Sequence, residues 1–146
     1  MGNRHTTESA ACDIAHRVPS ETEVSQAHLN RQVGTRILFE NSAVRVWEVH
    51  LDPGVRAPLH CHALNYFWTC TEPGTALQWQ HTGSEWRRQR RSYAVGDTQF
   101  FAYSDAAPVV HDLYNDGDTT LRFVTVELLG TASQSAPTLI TPGDAS

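Results

Sequence analysis

The stretch GVRAPLHCHALNYFWTCTEPG, residues 54 to 74, places a histidine pair at the end of one extended run and an aromatic run directly after it. In an extended chain alternate side chains share a face, so His60 and His62 can converge on one ion while Cys61 points away from them. With eight histidines in 146 residues, an H-x-H pair arises readily by chance. Its weight comes from its surroundings. The turn Asp52-Pro53-Gly54 precedes it, and a third histidine follows in GDTQFFAYSDAAPVVHDLYN, residues 96 to 115, as His111 with Asn115 four positions on.

Outward from these two stretches the chain reads as short β-rich runs divided by turn residues. Strands are expected at 36–39, 43–51, 57–62, 65–71, 76–81, 85–94, 98–103, 109–114 and 120–129. Asn41-Ser42, Glu72-Pro73-Gly74, Thr82-Gly83-Ser84, Gly96-Asp97 and Asn115-Asp116-Gly117-Asp118 separate them. Nine short strands at a spacing of about 10 residues give an all-β sandwich or barrel. Residues 1–35 are expected to be a flexible N-terminal arm. Ser-Glu-Thr-Glu from Ser20 resembles a helix N-cap, but the apolar residues after it are too sparse for a helix. Residues 130–146, small, polar and Pro-bearing, are expected to form a flexible tail. The run WRRQRRSY, residues 86–93, reads as a solvated edge strand blunted by charge, with Arg88 and Arg90 on one face and Arg87 and Arg91 on the other.

Composition removes several function classes. The net charge is −5 and the pI about 5.8, which disfavours nucleic acid or an anionic membrane as partner. All 11 positive residues are arginine, so lysine Schiff-base chemistry and a P-loop are excluded. Three cysteines without a C-x-x-C pair support neither a zinc finger nor a disulfide scaffold. No apolar run is long enough to cross a membrane as a helix or to act as a signal peptide. A cytoplasmic location is expected.

The two quoted stretches together resemble the motifs of the cupin superfamily. The first has the form G-x5-H-x-H-x3/4-E-x6-G, matched by residues 54 to 74, and the second the form G-x5-P-x-G-x2-H-x3-N, matched by residues 96 to 115. The 21 residues between them make one hairpin, as in small bacterial monocupins, and the likeness covers residues 36–129. Two positions depart from the pattern. The first motif's carboxylate is absent, with Tyr66 or Phe67 in its place according to spacing. The second motif carries four extra residues before its histidine, with Ala102 and Ser104 at its Pro and Gly positions.

The resemblance implies a conical antiparallel β-barrel, the double-stranded β-helix of jelly-roll type. It also implies one divalent transition metal (Fe, Mn, Ni, Cu or Zn) held by His60, His62 and His111. Such a centre suits an enzyme on a small organic substrate, aromatic or polyketide-like: an oxygenase, a lyase, an isomerase or a cyclase. The alternative is a non-catalytic ligand-binding or sensor cupin. Tyr66 is the candidate catalytic group, able to hydrogen-bond a ligand or handle a proton, or else a barrel-lining aromatic. Trp68 and Phe101 are expected to wall the pocket. Glu48, His50 and Glu127 are candidate replacements for the missing carboxylate, with Glu48 and His50 expected to face outward. Cys70 is expected to pack as a small core hydrophobe. The expected partners are a small-molecule ligand and a second copy of the chain, since a short barrel leaves sheet edges to which residues 20–39 could add a strand.

Overall fold

A computed structural model describes residues 17–130. Its elements are one helix, α1 (Glu21–Ala27), and nine strands: β1 (Arg36–Glu40), β2 (Val44–Leu51), β3 (Arg56–His62), β4 (Tyr66–Glu72), β5 (Gly74–Thr82), β6 (Glu85–Tyr93), β7 (Thr98–Phe101), β8 (Val109–Asn115) and β9 (Leu121–Leu128). Every strand expected from the sequence is present, with ends moved by a residue or two. The strands form two sheets, ordered β1-β2-β9-β4-β7 and β3-β8-β5-β6, and all pairings are antiparallel. This is the all-β jelly-roll arrangement expected from the motifs.

Alternation decides what faces inward. In β2 the buried positions are Trp47, Val49 and Leu51, and in β9 they are Leu121, Phe123, Thr125 and Glu127. The main core draws on both sheets: Val49, Leu51, Cys70, Leu121 and Phe123 from one meet Ala76 from the other. Cys70 is therefore the small core residue expected of it. Glu48 and His50 lie on the other face of β2, where they pair with Arg36 and Asp52. They face away from the interior, as anticipated.

The gaps between the sheets are bridged on both sides. At one side the Arg91 guanidinium of β6 donates to Gln99 Oε1 of β7 at 2.8 Å. At the other, the free edge of β3 is taken by residue 30: the Cys61 N–H donates to the Asn30 carbonyl (2.8 Å), and Asn30 Nδ2 donates to the Leu59 carbonyl (3.0 Å). A few residues on, the Thr35 N–H donates to the Glu48 carbonyl of β2.

That contact changes the picture of the N-terminal segment. Residues 1–16 of the expected arm, like 131–146 of the expected tail, lie outside the described residues. Residues 17–35 carry structure. Ser20 and Glu23 form a capping box at the start of α1, and Ala27 packs with Leu59, Cys61 and Val110 on the outer face of the second sheet. The apolar content of α1 is low because it covers only this small patch, which is why periodicity did not reveal it. Cys61 is buried there, away from the interior.

The second sheet also holds a buried ion pair. Arg56 Nε donates to Asp112 Oδ2 at 2.8 Å, and Asp112 Oδ1 accepts the Trp79 N–H at 2.7 Å. Burial pushes the Asp112 carboxyl above its ordinary range, and the Arg56 guanidinium opposes that shift. Removing one partner of such a pair strands the other charge. Asp112→Ala should therefore cost about 3–5 kcal/mol of stability, and Asp112→Asn less, because the amide still accepts the Trp79 N–H. Urea unfolding measures both; a loss below about 1 kcal/mol in Asp112→Ala would mean that Arg56 behaves as an exposed charge.

Candidate metal centre

His60 and His62 stand two apart on β3 and so share a face, and His111 on β8 is the direct cross-strand partner of His60. Three imidazoles thus come from one patch of sheet. The register of β3 shifts between Ala57 and His60, and Pro58 falls within this irregularity of an edge strand, a place where proline is tolerated. The irregularity lets the Pro58 carbonyl meet His60 Nδ1 at 2.7 Å.

The glycine and asparagine of the motifs serve the frame. Gly54 adopts φ +81° in the turn before β3, a conformation that favours glycine. Its N–H donates to the Asn115 carbonyl, and the Asn115 N–H donates to the Val55 carbonyl. The Asn115 side chain, fully buried, donates to Leu51 O and Thr119 O and accepts from the Gly117 N–H.

The three Nε2 atoms converge: His60 to His62 is 3.1 Å, His60 to His111 3.0 Å and His62 to His111 2.9 Å. His60 and His62 are almost fully buried. Burial lowers the His60 pKa to about 4 and pushes His62 and His111 well below the usual imidazole range. All three are therefore neutral at pH 7, each with a single N–H. A carbonyl can only accept, so His60 places its proton on Nδ1 towards Pro58 and leaves Nε2 as a bare lone pair. A triangle of three mutual hydrogen bonds would need one proton from every corner, and His60 has none to give.

A cation at the centre resolves that conflict, because all three lone pairs can then point at it. The spacing fits: metal–nitrogen bonds of about 2.1 Å at right angles set neighbouring nitrogens about 3.0 Å apart. His62 Nδ1 is buried without a hydrogen-bond partner among the described residues, so no hydrogen bond at that atom orients the ring.

Of the two candidates for the motif position of the missing carboxylate, Tyr66 is buried and Phe67 only half-buried. The Tyr66 ring lies face to face with His62, centroids 3.9 Å apart and planes 11° from parallel. Phe101 stacks on Tyr66 from β7 at 5.0 Å. Burial drives the Tyr66 phenol well above its ordinary pKa, so it is a hydrogen-bond donor at neutral pH. Glu127 faces inward but is engaged elsewhere: it accepts from Trp47 Nε1 at 2.6 Å and meets Arg45 at 3.5 Å. No carboxylate joins the three histidines among the described residues.

A cavity of about 280 Å³ opens beside His111, and both Trp68 and Phe101 line it. A smaller one of about 50 Å³ shares Trp68, Gln78, Tyr93 and His111 as walls and is otherwise largely apolar. The sequence reading missed the polar lining of the larger cavity. Gln78, Gln80, Gln89, Gln99 and Arg91 all face it. The alternation in ALQWQH was the available signal for Gln78 and Gln80.

No family model matches the chain, and no curated protein matches it. Solved structures do. It is similar to a cupin domain from Bordetella pertussis Tohama I, at 22% identity over 64% of this chain and 88% of that one, with TM-score 0.53. It is also similar to an uncharacterised conserved protein with a double-stranded β-helix domain from Klebsiella pneumoniae subsp. pneumoniae MGH 78578. That match has 22% identity, covers 80% of this chain and 93% of the other, and gives TM-score 0.51. The fold is that of the cupins.

The histidine titrations predict an acid-sensitive apoprotein. Between the ordinary imidazole value of 6.5 and about 4 for His60, the unfolded chain binds protons that the folded site refuses. Stability of the metal-free protein should therefore fall as pH drops through that window. Urea unfolding in chelator at several pH values tests this; a flat profile would mean that the histidines are not held neutral.

Proposed function

We propose that this chain is a small metal-dependent cupin enzyme that holds one divalent transition metal ion through His60, His62 and His111. Its substrate is a small organic molecule, partly aromatic or oxygenated, and the reaction is of the oxygenase, lyase, isomerase or cyclase type. One observation carries the reading: three neutral imidazoles meet at cis-ligand spacing in a pattern that hydrogen bonds alone cannot satisfy. Iron, manganese, nickel, copper and zinc all suit imidazole donors. When bound, the ion supplies a Lewis acid with coordination positions open to a ligand.

The chain's own groups do the rest. The Pro58 carbonyl fixes the tautomer and ring orientation of His60. Tyr66 locks the His62 ring by stacking and keeps its phenolic proton for an oxygen of the substrate. Trp68 and Phe101 wall the cavity and exclude water from it. A non-catalytic ligand-binding module is the rival, favoured by the stacked ring that stands at position 66 in place of a carboxylate.

Metal analysis of protein purified without chelator should find close to one ion per chain, lost in His60→Ala and in His111→Ala. Unchanged content in both would remove the assignment. Tyr66→Phe should keep the metal and, on an established substrate, lower turnover by about 10²; unchanged turnover would leave Tyr66 as a wall residue.

A second copy of the chain and a cytoplasmic setting belong to the same proposal. For the dimer, β1 pairs with β2 of its own chain and stands at the end of its sheet, with Ile37, Leu38 and Phe39 all exposed. Such an edge is a template for pairing. Light scattering at micromolar concentration should give twice the chain mass; the mass of one chain would refute the dimer.

A further inference from the structure

Among the described residues, the larger cavity is lined by one cationic side chain and no acidic one. Tyr66, Trp68, Tyr93, Phe101, Tyr103 and four glutamines account for most of its wall, and neither Asp nor Glu is among its residues. Arg91 supplies the charge. It was expected on a solvated edge strand, and β6 is the edge of its sheet, with Arg87, Arg88 and Arg90 exposed as anticipated. Arg91 alone is turned in. Its guanidinium lies 5.2 Å from the Trp68 ring and 4.9 Å from the Tyr93 ring. Nη1 donates to Gln99 Oε1. No carboxylate comes within ion-pair distance of it among the described residues, whereas Arg56 and Arg90 both have one.

A guanidinium has five N–H donors in a planar fork, and one bond to Gln99 leaves the rest of the fork free. Two aromatic rings and a hydrogen bond hold that fork in place, so its orientation is set before any ligand arrives. On the same cavity, Tyr66, Phe101 and Tyr103 stand nearly parallel, with planes 10° to 24° apart. They form an offset stack that continues to His62 through the Tyr66 ring, an aromatic lining on one side of the cavity. At about 280 Å³, the cavity is at the lower end of ligand pockets, which run from roughly 300 to 1,000 Å³.

We infer that the cavity binds a small unsaturated or aromatic monocarboxylate, with the carboxylate on the Arg91 fork, the ring beside the Tyr66, Phe101 and Tyr103 stack, and the far end towards His111. Arginine pairs with a carboxylate through two parallel hydrogen bonds, and the glutamines add neutral donors and acceptors without competing charge. The far end of the ligand rests on the metal reading; the carboxylate end rests on Arg91 alone.

Calorimetric titration with benzoate and 4-hydroxybenzoate, each against its own amide, separates the two. The wild-type protein should bind each acid at least about 10-fold more tightly than the amide of the same shape. Arg91→Gln should erase that preference with metal content unchanged, and Arg90→Gln, on the outer face of β6, should keep it. His111→Ala should lose the metal yet retain the preference for the acid, so that failure of the metal reading and failure of this one give different results. Should Arg91→Gln not fold, Arg91→Lys decides: a reduced preference supports recognition by the fork, and an unchanged one overturns it. Equal or absent binding of acid and amide in the wild type, a preference that survives Arg91→Gln, or one that vanishes only with His111→Ala would overturn the inference.

Discussion

Three ring nitrogens within 3.1 Å of one another, one of them stripped of its proton by a backbone carbonyl, form an arrangement that no set of hydrogen bonds satisfies. Buried polar atoms rarely stay in conflict unless something outside the protein resolves it. The surrounding structure holds the conflict in place. The β3 irregularity puts the Pro58 carbonyl under His60, the register of β3 with β8 sets His111 opposite His60, and the Tyr66 ring fixes His62 from the facing sheet. The two sheets are therefore coupled through the centre as well as through the apolar core.

Support for these histidines continues on the opposite face of the second sheet. Asp112 follows His111 in β8 and so points the other way, where it joins the Arg56 guanidinium of β3 to the backbone of β5 at Trp79. One buried carboxylate thus ties together the two strands that carry the histidines and the strand beside them. Asn115, at the end of β8, does the same for the turn that starts β3. In this chain the asparagine of the second motif acts on the frame, and the histidine four residues before it faces the site.

The strands and the His60–His62 pair were legible because their signals are local: alternation, turn residues and a two-residue spacing are all properties of neighbouring positions. His111, 51 positions after His60, was joined to them only through the resemblance of the second motif. What escaped depends on contacts distant in sequence. α1 buries Ala27 against a patch made by β3 and β8, so its own sequence shows little amphipathicity. Glu127 looked free to replace the missing carboxylate until the fold brought the Trp47 indole, 80 positions away, against it. Arg91 sat in a run of four arginines whose composition reads as solvent. Alternation paired it with Arg87, yet only Arg91 lies where the mouth of the sandwich meets β7, and there the partner is Gln99.

The same geometry separates two kinds of charge. The buried carboxylates already have partners of their own: Asp112 is taken by Arg56, and Glu127 by Trp47 and Arg45. What remains around the larger cavity is neutral or positive. A cation among the histidines and the Arg91 guanidinium would then act on the same small volume with little to screen them, since interactions between charges are far stronger there than in water. A neutral ligand would leave both uncompensated, whereas an anion lying between them would relieve both at once. The lining of the larger cavity, one guanidinium among neutral side chains, would therefore discriminate by charge before it discriminates by shape.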